Sequence, residues 1–228
     1  MYSLNRKRHF LKLEKIYALY DKIISPYHLS CRKHCMLCCT RNVTLTTLEG
    51  ARLFEHMETI NQTSLIERVK DGISKNRFVP KATTNQIADY CIGGVELPEE
   101  EIDPAWGVCP LLDGDICPVY NARPFGCRCL VSEHDCGKKG FAGIDPYILT
   151  INDIFLQHIE HLDQQGMTGN LSDVLLFIES KTQNSPCPPE VSTPDKLIRN
   201  HPLRALMVPP EYRKRVRPVL DSLQRILT

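Results

Sequence analysis

The chain has 228 residues, of which 42% are apolar and 24% charged, a length and composition that exclude global disorder and a small fold dependent on disulfides. Its net charge of +1 is unevenly placed: residues 1–22 hold six Lys/Arg against two acids, residues 196–228 hold eight against two, and the body between them is acidic. An acidic body argues against a nucleic-acid reader, and basic faces on terminal helices are usually solvated.

In chain order, apolar residues at Phe10, Leu13, Ile16, Tyr17, Tyr20 and Ile24 predict an amphipathic helix over Leu4 to Ile24, ended by Ser25-Pro26. Glu14 and Asp21 argue against a mitochondrial leader, and no apolar run there suits a secretory signal. Cys31 to Thr40 reads as an irregular loop. Thr46 or Thr47 is placed to cap a helix through Leu48, Ala51, Phe54 and Met57, and a second helix is expected over Ser64 to Lys75. Gly93 to Trp106, with Pro98 and three successive Glu, reads as an exposed loop. Leu111 to Ile116, with Asp113-Gly114 between apolar residues, predicts a tight hairpin that brings Cys109 near Cys117. Helices follow over Ile151 to Leu162 and Leu171 to Lys181, then a proline-rich link over Asn184 to Pro194. The tail from Lys196 is helical in pattern but interrupted by prolines. No stretch is long and apolar enough to cross a bilayer.

Nine of the 11 cysteines fall into two groups, Cys31, Cys35, Cys38 and Cys39, then Cys109, Cys117, Cys127, Cys129 and Cys136. Core cysteines would be scattered, as Cys91 and Cys187 are, so the grouping points to metal ligation in a reducing, cytoplasmic setting. Cys35 and Cys38 have the spacing at which one loop presents two thiolates to one ion. Adjacent residues of an extended segment point to opposite sides, so Cys38 and Cys39 are expected to serve different metals. The later group lacks a second Cys-x-x-Cys pair, which disfavours a plain zinc ribbon. Seven to nine thiols exceed the four that one zinc or one simple cluster takes, so two sites or one polynuclear site fit better. Arg32, Lys33, Arg41, Arg123 and Arg128 flank the groups as candidate counter-charges.

The ordered pattern Cys35-x-x-Cys38-Cys39, Cys109-Pro110-Leu111-Leu112, Cys117-Pro118-Val119-Tyr120, Arg123-Pro124 and Cys127-Arg128 resembles the YkgJ-type cysteine-cluster family over roughly residues 31–130. Members of that family are described as zinc- or iron-chelating or iron-sulfur proteins and include relatives similar to flagellin lysine N-methylase. The resemblance implies Cys31, Cys35, Cys38, Cys39, Cys109, Cys117 and Cys127 as ligands. Cys129 and Cys136 are extra to the pattern and are weaker candidates.

These readings predict a mainly α fold, with helices around an irregular Cys-rich region that carries a small hairpin. The expected organisation is a helix over 1–30, a metal-binding domain over 31–145 and a helical region over 146–228. The leading function is a metal-binding protein holding an iron-sulfur cluster or zinc. The alternatives are an S-adenosylmethionine-dependent lysine N-methylase and a structural zinc module with a protein partner. Cys91 is expected in the core, Cys187 outside the ligand set, His34 and His134 as spare ligands at most, and His158 and His161 as a solvated pair.

Overall fold

The structure is a computed structural model that describes residues 2–183 and 196–228. It is mainly α, as the periodicities predict. In chain order the regular elements are α1 (Tyr2–Ile24), β1 (Thr44–Thr46), α2 (Thr47–Thr59), α3 (Leu65–Asp71), α4 (Thr84–Gly93), α5 (Phe125–Arg128), α6 (Cys136–Lys139), α7 (Pro146–Leu162), β2 (Met167–Asn170), α8 (Leu171–Gln183), β3 (Leu197–Arg199) and α9 (Arg213–Leu227).

Leu13, Ile16, Tyr17 and Tyr20 lie on one stripe of α1 because they recur at helical spacing, and they are buried against α7 and α9. Ile151, Ile154, Phe155 and Ile159 of α7 and Val216, Val219 and Leu223 of α9 complete this core. A second core holds Leu53, Phe54 and Met57 of α2, Leu65, Ile66 and Val69 of α3 and Val174, Leu175 and Leu176 of α8. Helix α2 joins the two, because its Leu48 packs into the first core. Thr46 caps α2 through the reciprocal arrangement with Glu49 that Thr-x-x-Glu predicts.

The three short strands form an antiparallel sheet in the order β1-β2-β3, with Thr44 opposite Asn170 and Thr168 opposite Ile198. Periodicity gave no sign of it, since three- and four-residue strands are shorter than any alternating pattern that could announce them. The helical reading of the tail is corrected here. Residues 197–199 extend along β2, and the helix starts only at Arg213 and then continues through Pro218. The Asp113–Ile116 hairpin is present, with Asp113 and Ile116 exchanging both backbone hydrogen bonds at 2.8 and 2.9 Å. Gly114 supplies the positive φ, +58°, at the first central position of the turn.

Cys91 is exposed, against expectation. Helix α4 buries Asn85 and Ala88 against α7, but its last turn stands clear of the body, leaving Cys91 and Ile92 in solvent. His158 is buried rather than solvated, its Nδ1 2.6 Å from the Ile154 carbonyl, and burial lowers its pKa. Cys187 and the proline-rich link lie outside the described residues.

Candidate metal centre

Two tight turns build the first cysteine loop. The Cys35 N–H donates to the Arg32 carbonyl at 3.1 Å, with His34 at φ +68°, and the Cys39 N–H donates to the Met36 carbonyl at 2.9 Å. Cys38 and Cys39 therefore belong to a turn, not to an extended segment. Each acts on the other's ionisation: the side-chain interaction between them holds the Cys39 pKa down and pushes that of Cys38 up. The extended-chain argument that set these side chains on opposite sides does not apply to this backbone.

An isolated antiparallel bridge pairs Thr40 with Val108. The Cys109 N–H donates to the Cys39 carbonyl at 2.8 Å and the Arg41 N–H to the Gly107 carbonyl at 3.1 Å. This bridge joins the two cysteine groups, 70 residues apart in sequence. The hairpin then returns the chain to Cys117, and α5 delivers Cys127.

The result is one cavity of about 70 Å³ whose wall includes Cys31, Cys35, Cys38, Cys39, Cys109, Cys117 and Cys127. That is room for several water-sized bodies. These are the seven residues the resemblance implies. At the rim, His34 Nδ1 stands 3.5 Å from Asp115 Oδ2 of the hairpin turn, so His34 has a partner other than a metal. Among the described residues no three His, Cys, Asp or Glu side chains are gathered closely enough to grip one ion as they stand, so the thiols line the wall without converging on a point. The chemistry of the donor set nevertheless fits: seven thiols against a single carboxylate, that of Asp115, suit zinc or iron-sulfur centres and are wrong for magnesium or calcium.

Burial raises the thiol pKa values of Cys117 and Cys127 and pushes that of Cys109 up to about 11. Two guanidinium groups oppose this. Arg41 favours the Cys109 thiolate, and Arg123 favours those of Cys38, Cys117 and Cys127. Arg123 is held over the Tyr120 ring, 3.5 Å from its centroid, while Arg41 donates to the Gly72 carbonyl at 3.0 Å. Arg128 lies elsewhere, over Tyr17 and beside Asp21. Arg32 lines the cavity, and Lys33 sits over Tyr120.

The two extra cysteines part company. Cys129 lines neither thiol cavity; its Sγ donates to the Gly126 carbonyl at 3.6 Å, and burial pushes its pKa up to about 12. Cys136 lines a neighbouring cavity of about 210 Å³ with Cys31 and Cys35. His134 Nε2 stands 3.0 Å from the Phe141 carbonyl, and its ring lies against Gly143.

One positioning residue escaped the sequence reading. Glu49 is buried and accepts hydrogen bonds from the Tyr17 hydroxyl and the Phe125 N–H, both at 2.7 Å, and from the Thr46 N–H at 2.9 Å. It ties α1, α2 and the start of α5 together, two residues before Cys127. The Thr46-x-x-Glu49 spacing is a local signal that could have placed it at the cap; nothing local signals the other two donors.

Compared with protein-family models, curated proteins and solved structures, the chain matches none of them.

Proposed function

We propose that the chain is a metal-binding protein whose inner thiols, Cys39, Cys109, Cys117 and Cys127, hold zinc or an iron-sulfur centre. The observation that supports it best is that sulfurs from segments 70 residues apart line one cavity, joined by a bridge whose backbone hydrogen bonds fall at Cys39 and Cys109. A thiol-rich wall with two guanidinium groups beside it suits thiolate ligation, because the cations offset the negative charge that ligation creates. Once bound, zinc would brace the fold, and an iron-sulfur centre would in addition carry electrons. The reading agrees with the YkgJ-type resemblance and does not depend on it. The methylase alternative rests on the resemblance alone.

Anaerobic purification followed by iron, sulfide and zinc analysis and visible absorption tests this. Colour with iron and sulfide assigns a cluster, and colourless protein with zinc assigns a bracing site. Cys117→Ser should lose metal while Cys91→Ser keeps the full amount. Wild-type protein that stays metal-free after reconstitution under reducing conditions would overturn the reading.

A further inference from the structure

We infer that the acidic run 92–104, which leaves the end of α4, docks into the basic groove between α1 and α9 of a second copy of this chain. The contact uses no thiol and stands apart from the metal-binding reading.

Residues 92–104 contain five acids and no Lys or Arg. Interleaved with those acids, Ile92 is 72% exposed, Val95 55%, Leu97 45% and Ile102 61%. Single exposed apolar side chains are ordinary, but four along one short run make a surface whose burial against another molecule is favourable. The run is held in this outward arrangement. Gly94, at φ +63°, turns the chain out of α4, and the Val95 N–H donates to the Tyr90 carbonyl at 2.9 Å. Further along, the Lys81 N–H donates to Glu100 Oε1 at 2.7 Å and Asn42 Nδ2 donates to the Asp103 carbonyl at 3.2 Å. Glu96, Glu99 and Glu101 are exposed and have no cation within ion-pair distance among the described residues.

The complement lies on α1 and α9. An open groove of about 540 Å³ is lined by apolar Leu19, Ile23, Pro26, Pro218 and Val219, and its only charged lining residues are the cations Lys22 and Arg215. The Arg215 guanidinium lies 3.5 Å from the centroid of the Tyr147 ring and donates to the Tyr27 hydroxyl at 2.9 Å, so it is fixed at the groove wall. Neither Lys22 nor Arg215 has a carboxylate partner among the described residues. Positioned cations without partners beside an apolar lining match unpaired carboxylates interleaved with apolar side chains, in charge and in apolar content. Within one chain the run and the groove both stay open to solvent. A second copy supplies each with its complement, and that selects it as the occupant.

Sedimentation of the full chain tests this under reducing conditions, which keep exposed Cys91 from joining copies through a disulfide. Association should grow with protein concentration and weaken as salt rises. A groove-reversed chain, Lys22→Glu with Arg215→Glu, should associate roughly tenfold or more weakly. A loop-reversed chain, Glu96→Lys with Glu99→Lys and Glu101→Lys, should do the same, because each variant sets like charges against each other. Mixing the two should restore association, since the acidic groove of one then faces the basic loop of the other. A variant that had merely lost its fold could not be rescued in this way. Wild type that sediments as a monomer at every concentration, or association that neither reversal weakens, would overturn the inference. Monomeric wild type that instead binds vesicles of phosphatidylglycerol and phosphatidylcholine, with binding lost in the groove-reversed chain, would also overturn it and assign the groove to an anionic lipid surface.

Discussion

The Glu49 carboxylate accepts from a tyrosine hydroxyl on α1, a backbone N–H at the start of α5 and the backbone N–H of its own cap, all within the protein interior. Removing a buried acceptor leaves each donor without a partner, which costs more than the net gain of making the bonds. Glu49→Ala should therefore lower stability by about 3 kcal/mol and Glu49→Gln by less, since the amide keeps one acceptor oxygen. Denaturant unfolding measures both, and a loss below about 0.5 kcal/mol in the alanine variant would mean that these contacts contribute little. At this scale the sequence was most informative about sulfur. Grouping separated the cavity-lining cysteines from Cys91, because residues that share one site gather, but it also took in Cys129, which lines neither cavity. It failed for Glu49, whose partners at Tyr17 and Phe125 are assembled only by tertiary packing.

Helix α5 is four residues long and could not hold its place by propensity. Two features fix it. Phe125 lies in an aromatic cluster, its ring centroid 4.7 Å from Tyr20 and 5.6 Å from Phe155, and Gly126 lets the helix approach β1. A β-carbon at Gly126 would fall 2.4 Å from the Thr44 carbonyl oxygen, a backbone atom of a strand already paired with β2. Gly126→Ala should thus displace Cys127, lowering stability by about 2 kcal/mol and cutting metal content together. Gly93→Ala is the control, since the nearest atom to its added carbon is Val95 Cγ2 at 3.5 Å, an ordinary contact. Full metal retention in Gly126→Ala would show that α5 has more freedom than this packing allows. The long helices were legible because their apolar stripes repeat several times. The sheet and the true start of α9 were not, since strand pairing between residues 46, 168 and 198 is a non-local choice, and the tail's helical pattern gave way to pairing with β2.

Across the whole molecule the two basic ends meet. Helix α1 packs on α9, and Lys12 donates to the Leu227 carbonyl while Arg8 reaches the Thr228 carbonyl at 3.4 Å. Part of the basic charge read as a solvated face thus serves the carboxy-terminal end of α9, where cations complement the helix dipole. The acidic body between these ends carries the thiol cavities, whose loops depend on turns and two isolated bridges, Thr40 with Val108 and Asp113 with Ile116, for their backbone order. Metal binding to such loops becomes folding free energy, and a structural zinc site contributes roughly 10 kcal/mol or more in small peptides, comparable with the whole stability of a domain. Chelation under reducing conditions should consequently raise hydrogen exchange first in residues 31–39 and 109–117. Residues 122–128 should follow later, because Phe125 gives them an apolar anchor that the metal does not supply. Helices α7 and α8 should keep most of their protection, since Ile151, Ile154, Phe155, Val174, Leu175 and Leu176 are buried in cores of their own. Exchange measured on metal-loaded and chelated protein resolves this order, and equal protection of 31–39 and 109–117 in both states would show that the loops are ordered without the metal, leaving it to act on chemistry rather than on the fold.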